Sequence, residues 1–388
     1  MGQKLSLVII LTEGIRGHLN QARGISFWLS KLSGARIVEL QVPLLSGLEK
    51  LVKLKFRARF ISGSSPSVCR KWLNDAGAQD LIDRIFTLVE NIPEKEKGCL
   101  LISAGNTPAP YNLALARMFL IRNVVLMTPS VTSLTSYDFA VVPEHDFPAA
   151  SKNLLLTLGA PNAIVRKDLE EQAEELKRSF SPVNSSAWGI LIGGDTVNYS
   201  ISPAWINKYV GALLDMASAK GADLYITTSR RTRQDAEKTL YDITRGRENV
   251  RMVLLASQDT RNPVPGMLGL CDRIFCTEDS VSMLSEAATS GKPVFLLRVK
   301  KRGGLKMFLS SITNSLVKAH ILPLSCLWGF YRFEYMRQRM IEKGLLVDMP
   351  DNTENWMNLV DSSKNRNVSE FNEAKRAAEW IMGELDRS

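Results

Sequence analysis

The sequence predicts an α/β protein built from two Rossmann-like domains that face an interdomain cleft. Three observations carry that expectation. Short apolar runs of strand length alternate with helical patterns, the signature of parallel sheets covered on both faces. The alternation is interrupted by the charged stretch RKDLEEQAEELKRSFSPVNSS (166–186) and then resumes. The chain has 388 residues, more than one core usually holds at about 150 residues per domain. The expected division is a first domain over 1–165, a helix and linker over 166–186, a second domain over 187–345, and a helical tail over 346–388 that could pack back on the first domain.

In the first half, strand-length runs occur at Leu5–Leu11, Ala35–Val42, Cys99–Ser103, Val124–Thr128, Phe139–Val142 and Leu154–Leu158. Helical patterns separate several of them: His18–Leu32, Ser67–Glu90 and Pro108–Leu120. In the second half a strand is expected in WGILIGG (188–194), and Ser202-Pro203 supplies an N-cap and first-turn proline for a helix to about Lys220. Gly221 ends that helix. Leu224–Thr228, Val250–Leu254, Arg273–Phe275 and Val294–Leu297 follow as strands. No repeat at solenoid spacing is found.

Composition narrows the function classes. At 45% hydrophobic and 23% charged the chain reads as a globular protein, not a disordered one. Five cysteines without a Cys-x-x-Cys fit a reducing compartment better than a disulfide framework. MGQKLS matches the Met-Gly-x-x-x-Ser acylation pattern, but Leu5–Leu11 reads more simply as a first buried strand and is too short to span a bilayer. A net charge of +9 favours anionic partners.

In doubly wound sheets, ligands bind beyond the carboxyl ends of the strands, so chemistry is expected in the turns that follow them. The first such turn, TEGIRGHLNQARG (12–24), holds Gly14 and Gly17, which let backbone approach a ligand, with His18, Asn20 and Gln21 as donors and acceptors. The second, SAGNTPAP (103–110), offers Ser103 and Asn106. The third, PEHD (143–146), packs Glu144, His145 and Asp146 into one turn, a plausible general base. In the second half, GGDT (193–196) places Gly193, Gly194 and Asp195 after a strand. TTSRRT (227–232) then places Thr228, Arg230 and Arg231, where guanidinium groups suit phosphate.

The segment TEDSVSMLSEAATSGKP (277–293) lies between two strands. Laid on a helix from about Ser280, Val281, Leu284 and Ala288 make a buried face, while Asp279, Ser282 and Glu286 share another, with Asp279 or Ser280 as N-cap. An anion suits the helix start, and Glu286 lies roughly 10 Å along the axis at 1.5 Å per residue. Phosphate at the cap and sugar hydroxyls on Glu286 make a nucleoside-diphosphate geometry. The chain has no Asp-x-Asp, no phosphate-binding Gly-x-x-x-x-Gly-Lys loop, no Gly-x-Ser-x-Gly elbow and no Tyr-x-x-x-Lys pair. The last absence tells against short-chain epimerases and dehydrogenases.

The stretches RGHLNQARGIS, YDFAVVPEHD, LLLTLGAPN, ILIGGDT, LYITTSRRT and TEDSVSMLSEAATSGKPVFLL resemble the bacterial and plant "mitochondrial fission protein" (elongated-mitochondria) family, in order over about residues 5–300. That family is similar in plan to two-domain glycosyltransferases of the B type, such as the lipid-linked enzymes of peptidoglycan and lipid A synthesis. The resemblance implies that Glu286 holds the donor ribose and that Ser280 and Ser282 lie near its diphosphate.

Positive charge is clustered. GLEKLVKLKFRARF (47–60) carries Lys50, Lys53, Lys55, Arg57 and Arg59 among leucines and phenylalanines; RVKKRGGLKMF (298–308) leads into an apolar stretch with Trp328. Both suit an anionic membrane surface, and no nucleic-acid-binding module is recognisable. The sequence thus leads to a metal-independent glycosyltransferase without a resident cofactor. Its donor would be a nucleotide-sugar and its acceptor a lipid-linked or envelope glycan. It would be cytoplasmic and peripheral on the inner membrane face, with donor binding in the second domain and acceptor and base (His18 or Glu144–Asp146) in the first. The rival is a non-catalytic, membrane-associated adaptor.

Overall fold

The computed structural model describes residues 4–92, 98–363 and 370–387, with the side chains of Lys50 and Leu51 outside that description. Gly2 of the acylation pattern also lies outside the described residues. The chain forms two compact units, one of Met1–Ala163 with Asn372–Ser388 and one of Ile164–Phe371.

The first unit has strands β1 (Leu5–Thr12), β2 (Arg36–Gln41), β3 (Gly98–Ala104), β4 (Arg122–Leu126), β5 (Phe139–Pro143) and β6 (Leu154–Thr157). They form one sheet in the order β2-β1-β3-β4-β5-β6, with every pairing parallel. β1 explains its central place: Leu7 to Leu11 are all buried, so both of its faces need cover. Ser67–Glu90, expected as one helix, is two, Pro66–Asp75 and Gln79–Glu90. Gly77 between them adopts a left-handed φ of 75°, which ends the first helix.

The second unit has strands β7 (Ser186–Leu191), β8 (Tyr199–Ser200), β9 (Ala222–Thr227), β10 (Val250–Leu254), β11 (Arg273–Thr277), β12 (Val294–Leu297), β13 (Lys300–Lys301) and β14 (Val347–Asp348). The main sheet is parallel and ordered β10-β9-β7-β11-β12-β14, while β8 and β13 pair antiparallel beside it. Numbered within this unit, the main order is 3-2-1-4-5-6, the doubly wound dinucleotide-binding arrangement.

Two expected boundaries are corrected. Residues 166–186 are not a free linker: the helix Leu169–Ser179 packs against the helix Val264–Leu270 of the same unit. That approach needs Gly269, where a Cβ would sit 2.0 Å from the Leu169 carbonyl oxygen. The tail also divides. β14 closes one edge of the second sheet, whereas the helix Glu373–Arg387 packs on the helix Arg16–Ser33 of the first unit, burying Ala374, Ala377, Ala378 and Ile381.

Candidate functional site

A crevice opens in a doubly wound sheet where neighbouring strands send their connections to opposite faces. In the first unit that point lies between β1 and β3, and in the second between β7 and β11.

At the β1/β3 point, Gly14 turns the chain with a φ of 85°, and the helix Arg16–Ser33 begins without a side-chain cap. His18 stands in its first turn and donates from Nδ1 to Glu13 Oε1 at 2.6 Å. Glu13 is nearly buried at 7% exposure, and His18 keeps 26%. Gly105, just after β3, lies against this pair: a Cβ there would be 2.4 Å from His18 Nδ1. Glycine is therefore required by contact as well as by its φ of 90°. In the neutral tautomer that donates from Nδ1 to this carboxylate, Nε2 carries the lone pair, which is the arrangement of an oriented general base.

The other expected residues of this unit have mixed fates. Gly17 has open space around it, Asn20 is half-buried in the same helix, and Gln21 reaches Met127 Sδ at 3.8 Å. Asn106 Oδ1 accepts from the Ser130 amide at 2.7 Å. Ser103 is fully buried and accepts from Asn112 Nδ2 at 2.8 Å, so it is a core residue rather than part of an open loop. His145 is buried as well, and Asp146 accepts from the Thr128 amide at 3.4 Å, with Glu144 half-buried in the same 3-10 turn. Burial removes His145 as a base; His18 is the histidine presented at the strand ends.

At the β7/β11 point the polar groups satisfy one another. Gly193 N–H donates to Thr277 Oγ1 at 2.7 Å, Thr277 Oγ1 donates to Asp279 Oδ1 at 2.7 Å, and Gly194 N–H donates to Asp279 Oδ2 at 2.9 Å. Arg231 Nη2 adds a bond to Asp279 Oδ2 at 3.1 Å, and the Asp279 side chain is fully buried. A Cβ on Gly193 would lie 2.1 Å from Asp279 Oδ1, and one on Gly194 would lie 2.1 Å from the Arg231 carbonyl carbon. This is an internal clasp. Within it the Gly193 amide is spent on Thr277 and the Gly194 amide on the Asp279 carboxylate, two amides a phosphate would otherwise use, while Arg231, 42% exposed, gives one N–H to Asp279 and keeps its others. Asp195 is likewise engaged by the Ile201 amide at 3.0 Å and by Arg302. Thr228 Oγ1 donates to Glu237 Oε1 at 2.6 Å and accepts from the Ala256 amide at 2.8 Å.

Four expected residues remain available. Ser280 is the N-cap of the helix Val281–Thr289, its Oγ accepting from the Met283 amide at 3.4 Å. The amides of the first two helical positions stay orphaned, as helix geometry requires. Ser282 is partly exposed, and Arg230 is exposed beyond β9; neither side chain has a hydrogen-bond partner among the described residues. Glu286 keeps partial exposure, and its carboxylate likewise has no hydrogen-bond partner there. Burial pushes its carboxyl up to about 7 from the usual 4.5. The charges of Asp279 and Glu286 also help to raise the buried Cys276 thiol, so both carboxylates lie close to it.

Two features were not foreseen. Glu13 had no visible partner, since nothing in the spacing of five residues shows that a turn folds it back onto His18. The other is an ion-pair network around Glu278, whose side chain is 1% exposed and which meets Arg298 at 3.1 Å and Arg337 at 3.2 Å. Arg298 also holds Asp348 through two bonds of 2.7 and 2.8 Å, tying the ends of β11, β12 and β14 together. Burial pushes the Glu278 carboxyl up; the two arginines and the Val299 amide oppose it. A cavity of about 760 Å³ lies beside this network, lined in part by Trp205, Tyr209, Lys300 and Lys301.

The basic residues of 47–60 lie on an irregular helical segment of the first unit. Lys53 pairs with Glu49 at 3.0 Å and Arg57 with Asp75 at 3.0 Å, while Lys55 and Arg59 are exposed; the Lys50 side chain is outside the described residues. Trp328, 37% exposed, belongs to the second unit. Among the described residues no helix is long and apolar enough to cross a membrane.

The model of the mitochondrial fission ELM1 family matches residues 17–385. The chain belongs to that family. Relatives include an uncharacterized protein of Rickettsia prowazekii, 26% identical over 252 residues that cover 56% of this chain and 70% of that protein. Another is the mitochondrial fission protein ELM1 of Arabidopsis thaliana, 22% identical over 55% of this chain and 54% of that protein, about half its length. Among solved structures, the UDP-GlcNAc 2-epimerase of Neisseria meningitidis, bound to UDP-GlcNAc, aligns over 99% of this chain and 100% of that one, with a TM-score of 0.55 at 13% identity. A second UDP-N-acetylglucosamine 2-epimerase aligns over 100% and 97%, with a TM-score of 0.51 at 12% identity. The fold of this family member is that of the B-type glycosyltransferases and their epimerase relatives, with two parallel-sheet α/β units.

Proposed function

We propose that this family member is a glycosyltransferase of the hexosyl-transferring kind, using a nucleotide-activated sugar as donor. Glu286 carries the reading. It is a carboxylate without a hydrogen-bond partner among the described residues, about 9 Å along a helix whose first amides are open. A nucleoside diphosphate fits that spacing, with its phosphates at the helix start beside Ser280 and Ser282, its ribose hydroxyls donating to Glu286, and Arg230 as a further expected phosphate contact. Solved proteins with this fold include one bound to UDP-GlcNAc, which supports the same ligand class.

His18 serves as the base. Its Nε2 is placed to take the proton of a hydroxyl on an acceptor held by the first unit. Glu13 holds the imidazole in the required tautomer. The helix terminus and Arg230 stabilise the leaving diphosphate, so metal is dispensable in this reading. The acceptor is a lipid-linked or envelope glycan, met at the inner face of an anionic membrane, and the basic residues of 47–60 support that location.

Titration calorimetry with uridine, guanosine, cytidine and thymidine diphosphates tests the reading. One of them should bind, and Glu286→Ala should weaken it by about tenfold, the loss of a charge-assisted hydrogen bond. His18→Ala should bind the nucleotide normally and lose roughly 10²–10⁴-fold in transfer. No binding to any of the four would favour the second reading, a non-catalytic membrane adaptor, which the name of the Arabidopsis relative supports.

A further inference from the structure

The helix Leu305–Lys318 of the second unit is mounted with its apolar side outward. It buries Ser310 and Val317, while Leu305, Phe308, Leu309 and Ile312 are 73, 63, 45 and 43% exposed. Their i, i+3, i+4, i+7 spacing makes one continuous stripe. A helix in a soluble fold normally turns such a stripe to the core. The following loop extends the surface with Ile321 at 68%, Leu324 at 47% and Trp328 at 37% exposure. Trp328 Nε1 donates to Thr313 Oγ1 at 3.2 Å, which fixes the loop against the helix.

The charge beside this stripe has one sign. Residues 287–333 contain no Asp or Glu and eight Lys or Arg. Arg298 and Arg302 are taken up by acids of other segments, but Lys300, Lys306 and Lys318 have no carboxylate partner among the described residues. Exposed apolar side chains rimmed by uncompensated lysines complement one surface above others: headgroups of anionic phospholipid over hydrocarbon. A partner protein with an apolar groove would satisfy the stripe but would need a matching acidic rim.

We propose that the outward stripe Leu305–Ile312, with Ile321, Leu324 and Trp328, inserts into the headgroup region of an anionic membrane, held there by Lys300, Lys306 and Lys318. The inference deepens the membrane part of the functional reading by giving the nucleotide-binding unit its own grip on the bilayer. It does not depend on which nucleotide binds.

Co-sedimentation of the full chain with phosphatidylcholine vesicles, with and without phosphatidylglycerol, tests it. The chain should sediment with the anionic vesicles and far less with the neutral ones. Phe308→Ser/Ile312→Ser should weaken that binding at least about tenfold, given the apolar area withdrawn from the interface. Lys306→Gln and Lys318→Gln should each weaken it by about fivefold, and salt should mimic them. Nucleotide binding, measured on the same variants, should not change, so failure of the donor reading and failure of this one are separable. Unchanged vesicle binding by Phe308→Ser/Ile312→Ser would overturn the proposal. So would a loss that follows Phe56→Ser/Phe60→Ser alone, or a stripe-dependent dimer in light scattering with no vesicle binding.

Discussion

The two units build the same kind of crevice and use its polar groups in opposite ways. At the β1/β3 point, His18 and Glu13 form a pair whose outer nitrogen is left open. At the β7/β11 point, Thr277, Asp279, Arg231 and the Gly193 and Gly194 amides are bound to one another. The first arrangement can exchange a proton with a substrate. The second contributes rigidity, and it leaves uncommitted the side chains of Ser282, in the first turn of the next helix, and of Glu286 farther along it. Two crevices with similar residue types therefore differ in whether hydrogen-bonding capacity is left unspent, which burial decides.

Disrupting the clasp tests that contrast most severely. Asp279→Ala leaves the Gly194 amide and the Thr277 hydroxyl without their acceptor in a buried place, and should cost about 3 kcal/mol. A urea midpoint shift of the corresponding size is expected. The matching change in the other unit, Glu13→Ala, should shift the midpoint by under about 1 kcal/mol, because its partner can reach water. Equal shifts would erase the distinction.

Glu286 gives a pH-dependent test. Its folded carboxyl holds its proton up to about 7, whereas the unfolded one releases it near 4.5. The native state binds more protons between those values, so stability should fall as pH rises from about 5 to 8, by on the order of 2 kcal/mol after discounting its residual exposure. Glu286→Gln should flatten that slope. Nucleotide affinity should run the other way, rising through pH 7 as the carboxylate forms to accept hydroxyls, and the same variant should lose that rise too.

Two smaller effects sharpen the comparison. Glu13→Gln should lower transfer roughly tenfold while leaving nucleotide binding unchanged, since it alters only the orientation and tautomer of His18. Arg230→Ala should move stability by less than about 0.5 kcal/mol, as its exposed side chain has no hydrogen-bond partner among the described residues, yet weaken nucleotide binding by roughly fivefold.

Much of the fold was legible because burial leaves a periodic trace. The run Leu5–Leu11 is buried on both faces and reads as continuous apolar residues. The helix after β11 starts where Ser280 can cap it, and Leu284 and Ala288 point inward at 0% exposure. The candidate site was legible in part. Glu286, Ser282, Arg230 and His18 stand in the expected turns with capacity to spare. Ser103 and His145 do not, because loop composition says nothing about depth.

By itself the sequence determined most of the main strands and helices, their α/β alternation and the turns in which polar residues gather. These follow from contacts within a few residues, where the period of side-chain burial is written directly into the order of residue types. Tertiary structure alone decided strand order, the division of the tail between the two units, and which polar groups are spent. Gly193 bonds to a threonine 84 positions away, and Arg298 to an aspartate 50 positions away. A side chain's chemistry is fixed by its type. Whether that chemistry is free for a ligand depends on partners brought to it from elsewhere by folding.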